Sequence, residues 1–75
     1  MKIRTKRESE RIVKRAGRDV SYYWQGSDLI RSCYDPERRC KMESVAGNSY
    51  DMPAREAMQI AWHNEAEDCL SGDLA

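Results

Sequence analysis

Residues 20–45, "VSYYWQGSDLIRSCYDPERRCKMESV", decide how the rest of the 75-residue chain is read. Val20, Tyr22 and Trp24 alternate with Ser21, Tyr23 and Gln25, the period of a strand with two unlike faces. Gly26-Ser27 is a two-residue loop with glycine first, which favours a type II′ hairpin turn. That turn sets Trp24 opposite Leu29, Tyr22 opposite Arg31 and Val20 opposite Cys33. A second turn, Asp35-Pro36-Glu37-Arg38, has proline where a type I turn prefers it. With an even-numbered loop, Cys33 lies opposite Cys40 and Arg31 opposite Met42. One sheet face then carries Val20, Tyr22, Trp24, Leu29, Cys33, Cys40 and Met42. The other carries Tyr23, Ile30, Tyr34, Arg39, Lys41 and Glu43. An odd loop would flip the third strand and spoil the agreement between the two turns.

Helical period brackets this meander. "TKRESERIVKRAG" opens with Thr5 followed three residues on by Glu8, a capping-box pattern, and closes on Gly17. Arg7, Arg11, Lys14 and Arg18 fall on one stripe, with Lys6 and Arg15 beside it. Ser9, Ile12, Val13 and Ala16 fall on the opposite side. "AGNS" breaks the sheet, and "DMPAREAMQIAWHNEAEDCLSG" starts at Asp51 and Pro53 and stops at Gly72. Ala54, Ala57, Met58, Ala61, Trp62, Ala66 and Cys69 share its apolar stripe; Glu56, Gln59, His63 and Glu67 take the other side. The expected fold is α+β: a helix over about 5–17, strands over about 20–25, 28–34 and 38–45, and a helix over about 52–71. The order is αβββα in one domain, 1–75, with both helices on one sheet face.

Charge is unevenly distributed although the formal net charge is zero. Residues 1–18 hold eight Lys and Arg against Glu8 and Glu10, a net +6. Residues 51–75 hold Arg55 against Asp51, Glu56, Glu65, Glu67, Asp68 and Asp73, a net −5. One end is basic and the other acidic, with Glu56, Glu67 and Asp73 expected on the surface of the second helix. No apolar run reaches transmembrane length and no hydrophobic signal region follows the basic amino terminus, so the chain reads as cytoplasmic, without a membrane partner. Three cysteines, an odd number, suit a reducing compartment.

Cys33, Cys40, Cys69 and the single histidine, His63, are the one set of four zinc-ligand types. His63 and Cys69 are six residues apart on one helix, so they diverge by about 120° and about 9 Å and do not converge on one ion. A Cys33–Cys40 disulfide is open to the geometry of opposed strands. The reading favours three buried thiols acting as small apolar residues, with no metal and no cofactor. His63, alone on a polar helix face, reads as solvated or surface-bonded, and no nucleophilic triad, phosphate loop or dinucleotide pattern is present. The expectation is a protein that is not an enzyme.

Glu65 is a charge in the middle of the apolar stripe, between Met58, Ala61 and Cys69. Either the stripe ends there and Glu65 overhangs the sheet edge, or it is buried against a base: Arg31, or one from the first helix. The basic stripe is either a solvated helix face or a contact for phosphates or an acidic protein surface. On the free sheet face, Tyr23 and Tyr34 beside Arg39 and Lys41 suit base stacking and equally a protein–protein contact. The expected binding residues are thus Arg7, Arg11, Lys14, Arg15, Arg18, Tyr23, Tyr34, Arg39 and Lys41.

The order αβββα, with "PAREAMQIAWHNEAEDCL" following the small-residue rhythm of the second helix, resembles the double-stranded-RNA-binding domain. In that family the start of the second helix carries a lysine cluster that grips phosphates; here it reads "MPAREAM", with Arg55 as its base. The chain also resembles, in format, the small orphan proteins that phages encode, anti-CRISPR inhibitors among them. That resemblance implies a stoichiometric inhibitor docking on a host protein or ribonucleoprotein complex that handles nucleic acid, blocking a DNA-binding groove or holding a subunit still. The alternative expectation is a small nucleic-acid-binding module using the basic helix. Monomer and homodimer are both open, a dimer forming through an exposed Tyr23, Ile30 and Tyr34 face.

Overall fold

Thr5 starts the first helix as its capping pattern predicts: the Glu8 N–H donates to Thr5 Oγ1 at 3.2 Å. The computed structural model describes residues 3–74, with side chains for residues 3–71. Helix α1 spans Lys6–Arg15, with Glu8 in its first turn and Lys14 and Arg15 in its last, each charge opposing the helix dipole. It ends where Gly17 takes a φ of 75°. The Gly17 and Arg18 N–H groups donate back to Lys14 and Val13 carbonyls at 3.0 and 3.3 Å.

Strands β1 (Val20–Gln25), β2 (Asp28–Asp35) and β3 (Cys40–Asn48) form one antiparallel sheet in the order β1-β2-β3. Helix α2 (Ala54–Leu74) follows, so the chain is a small α+β domain of αβββα order. The β1–β2 register is the predicted one: Val20 faces Cys33, Tyr22 faces Arg31 and Trp24 faces Leu29. Gly26 has a φ of 63° while Ser27 stays out of the left-handed region, as a type II′ turn requires.

The second hairpin differs from expectation by two residues. Asp35 pairs with Cys40, so the loop is residues 36–39; Cys33 then faces Met42, and Arg31 faces Ser44. Asp35 accounts for the wider loop, because its Oδ1 accepts from the Glu37 and Arg38 N–H groups at 3.0 and 3.4 Å. Arg39 closes it with a φ of 54°. The count is still even, so every side chain keeps its predicted face. The sheet also continues into "AGNS" as far as Asn48: a register shift between Leu29 and Ile30 absorbs Ala46, and Gly47 then pairs with Leu29. At the far end Gly72 does not stop α2, which runs to Leu74.

Helices and sheet form two layers. Val13, Trp62, Ala66 and Cys69 make the central cluster, with Ile12, Met58, Val20 and Tyr22 packed against it. The Tyr22 and Trp62 rings meet edge-on with centroids 5.0 Å apart. Ala57 and Ala61 are buried as predicted, whereas Ala54 is exposed and Trp24 only half-buried. The helices lie side by side in the same direction. Thr5 and Lys6 border one groove with Ala54 and Met58, while Ile12 and Ala16 border another with Leu70.

The opposite sheet face has no helix over it, yet Ile30 is buried there between flanking strands rather than exposed. Of the thiols, Cys69 is buried, Cys33 half-buried and Cys40 exposed. Cys40 is therefore not the interior filler expected of it. It sits at the hairpin mouth, 4.0 Å from the Met42 sulfur, where neither helix reaches.

Candidate functional site

Glu65 is 5% exposed, and both its oxygens are fully used. Oε1 accepts from Arg31 Nε at 2.7 Å and from the Tyr22 hydroxyl at 2.9 Å. Oε2 accepts from Arg31 Nη2 at 3.2 Å and from Arg18 Nη1 at 2.5 Å. Four donors thus meet the roughly four acceptor positions of a carboxylate, and Arg31 engages it with two donors of its fork. Burial alone would push the Glu65 carboxyl up. The hydrogen bonds from Arg31, Arg18 and Tyr22 outweigh it and hold the group at about 2 against an ordinary 4.5. Tyr22 is raised by burial and then by its bond to the carboxylate. Arg18 also binds Asp68 Oδ2 at 2.7 Å, and this bond, ahead of Glu65, raises its guanidinium further.

Of the two expected readings of Glu65, the buried pair is the observed one, with Arg31 as expected and with Arg18, which lies beyond the end of α1. It removes Arg18 from the expected binding set. The reason is geometric: Gly17 ends α1, so Arg18 leaves the stripe of Arg7, Arg11 and Lys14 and turns back toward α2. Two arginines balance Glu65 and Asp68, so the cluster is a neutral latch between sheet and helix.

A second latch was not expected from the sequence. The Arg4 N–H donates to His63 Nδ1 at 3.1 Å, and Gln59 Nε2 donates to the Arg4 carbonyl at 3.1 Å. The Arg4 guanidinium pairs with Glu67, whose carboxyl it lowers. Gln59, His63 and Glu67 recur every four residues and so stand on one stripe of α2. They hold the extended segment before α1. His63 is therefore hydrogen-bonded but largely covered, its side chain 13% exposed, rather than solvated on an open polar face.

The remaining candidates form two separate surfaces. On α1, Arg7, Arg11, Lys14 and Arg15 are exposed, and none forms an ion pair among the described residues. On the free sheet face, Tyr23 and Tyr34 are each 41% exposed, and Tyr34 pairs with Lys41. Tyr23 faces Ile30, four residues from Tyr34 along β2, so their backbone positions are about 13 Å apart along the sheet. Between them lies Glu43, which accepts a hydrogen bond from the Tyr23 hydroxyl. The expected aromatic–basic platform is thus divided by a carboxylate. Arg39 is exposed at the hairpin end, at the Tyr34 side of this face. Helices and free sheet face point opposite ways, so the two basic groups do not make one footprint.

Glu56, Glu67 and Asp68 are exposed on α2 as an acidic counterpart; the side chain of Asp73 lies outside the described residues. Arg55 is exposed at the start of α2, a single base where the RNA-binding resemblance implies a cluster. Among the described residues no three His, Cys, Asp or Glu side chains converge as metal ligands, and no helix is long and apolar enough to cross a membrane. Compared with protein-family models, with curated proteins and with solved structures, the chain matches none of them.

Proposed function

We propose that this chain is a non-catalytic binding protein that docks on a larger macromolecule through the outer face of α1. The observation that carries the reading is selective neutralisation. Arg4, Arg18, Arg31, Glu65, Glu67 and Asp68 are consumed by internal pairs. Arg7, Arg11, Lys14 and Arg15 are left open on one helix. Folding gains only the modest dipole contribution of Lys14 and Arg15 from these four charges, while like neighbours three and four apart repel. A partner with negative potential does gain from them, in encounter rate and in orientation.

The preferred partner is a host protein or ribonucleoprotein complex that handles nucleic acid. The chain then acts as an inhibitor of the anti-CRISPR type, by occupancy rather than by turnover. A rigid α1 laid across the complex covers a surface that its substrate needs, and no covalent step is required. Glu56, exposed on α2 and without an ion pair among the described residues, favours a protein partner over bare nucleic acid, whereas Glu67 and Asp68 are already neutralised by Arg4 and Arg18.

The second reading, a nucleic-acid module, rests on the same four bases, with Arg7 to Lys14 spanning about 10 Å of helix. A mobility-shift series separates the two. The docking reading expects no shift of DNA or RNA by the protein alone at physiological salt, and co-purification of a host complex. A shift whose affinity falls steeply with salt would establish the nucleic-acid reading instead.

A further inference from the structure

At the amino-terminal end of the helical layer, Trp24, Ala54 and Met58 floor an open groove of about 440 Å³, with Lys6 and Arg55 on its rim. Its volume falls in the range of small-ligand sites, about 300–1,000 Å³. Trp24 is the last inward residue of β1, and the helices leave it half-covered. The groove is held open by structure already described. Gln59, which also lines it, and His63 pin the Arg4 backbone and so fix the segment that leads into Lys6.

Both charged residues lining the groove are cations. Lys6 is exposed and has Glu10, half-buried one turn on, as its partner at 3.4 Å, a pair worth little in water. Arg55 forms no ion pair among the described residues. A tryptophan is the side chain that most often anchors an interface, and a neighbouring methionine adapts to what is inserted.

We propose that this groove binds an acidic peptide segment of a protein partner. One aromatic or long aliphatic side chain packs on Trp24 and Met58, and flanking carboxylates meet Lys6 and Arg55. A nucleic-acid strand fits less well. The floor offers one aromatic ring, Trp24, rather than the series on which successive bases stack. The inference deepens the docking reading by naming the partner's chemistry, and rests on it only in that the partner is a macromolecule.

Fluorescence anisotropy on the full chain tests it with three labelled probes: the peptide Glu-Asp-Trp-Leu-Asp-Glu, its counterpart with lysine at every acid, and a ten-thymidine oligonucleotide. The acidic peptide should bind, and both Arg55→Glu and Trp24→Ala should weaken it at least about tenfold, the scale of an interface anchor. Arg55 is exposed, so its variant keeps the test valid even where Trp24→Ala disturbs the fold. Reversing Arg11, Lys14 and Arg15 to glutamate, further along α1 than Lys6, should leave peptide affinity within about threefold, as distant screened charges do. The proposal is overturned by any of four results: no binding to about 1 mM; equal binding of the basic peptide; binding indifferent to Arg55→Glu; or Trp24-dependent binding of the oligonucleotide instead. Loss of peptide binding in the α1 variant would move the site to α1, overturning the groove while leaving the docking reading intact.

Discussion

Arg31, on the central strand, and Glu65, midway along α2, are joined by two hydrogen bonds of 2.7 and 3.2 Å across the layer interface. The pair sets the helix at one rotation over the sheet, because a shift of either element separates the fork from the carboxylate. Removing Arg31 leaves the buried Glu65 carboxylate with fewer donors, and removing Glu65 leaves two part-exposed guanidiniums. Each loss therefore falls at or below the lower end of the about 3–5 kcal/mol of a fully buried pair. Arg31→Ala and Glu65→Ala should each destabilise the fold, and the double variant should fall well short of their sum. A coupling above about 1 kcal/mol in urea denaturation is expected. Additive losses would mean that the contact contributes nothing of its own.

Acid should undo the same latch. Glu65 sits at about 2 folded against an ordinary 4.5, so its folded value is depressed. Stability from this group is then fully present above about pH 5 and is lost as pH falls from about 4.5 towards 2. The integrated effect is about 3 kcal/mol. In Glu65→Gln the stability curve should be flatter across that window, while a slope matching the native protein would place the acid sensitivity elsewhere.

Ser9 offers a gain. It is fully buried in α1, and its hydroxyl oxygen has no hydrogen-bond partner among the described residues. Ser9→Ala removes an unsatisfied polar atom and raises helix propensity, so stability should rise by about 1 kcal/mol. Thermal unfolding reads this directly; a fall in Tm would show that the hydroxyl is bonded in solution.

Arg39 closes the second hairpin at a φ of 54°, where a side chain costs about 1–2 kcal/mol. Arg39→Gly should therefore hold or raise stability, by up to about 1 kcal/mol, despite the loss of a charged residue. Marked destabilisation would assign the guanidinium a contact that its exposed position does not supply.

Much of the fold is legible in the residues themselves, for reasons that differ element by element. The β1–β2 register is readable because Gly26-Ser27 permits few geometries. The β2–β3 register is not, since two- and four-residue loops both preserve the parity that hydrophobic alternation reports. Only the Asp35 side chain, bonding Glu37 and Arg38, selects the longer one. The end of β3 is hidden because a bulge at Ala46 mimics a break.

At the candidate site, Glu65 announces itself as a carboxylate in an apolar stripe, and Arg31 follows from the sheet face. Arg18 does not follow: helical periodicity puts it on the basic stripe, and only the left-handed Gly17 turns it away. The Arg4 latch leaves no periodic trace, since Arg4 precedes the helix and its main chain makes two of the contacts. The separation of the α1 bases from Tyr23, Tyr34, Arg39 and Lys41 is a property of layers, which a list of exposed residues does not contain.

Docking through α1 depends on its four open bases. The direct measurement is quantitative co-purification from native host lysate, comparing the unaltered chain with Arg7, Arg11, Lys14 and Arg15 reversed to glutamate. Circular dichroism should show both folded, with the variant somewhat less stable because the last turn of α1 loses the bases that favour its dipole. A defined complex retained by the native chain and lost by the variant is the predicted result. Equal recovery by both, or recovery by neither, would contradict α1 as the docking surface.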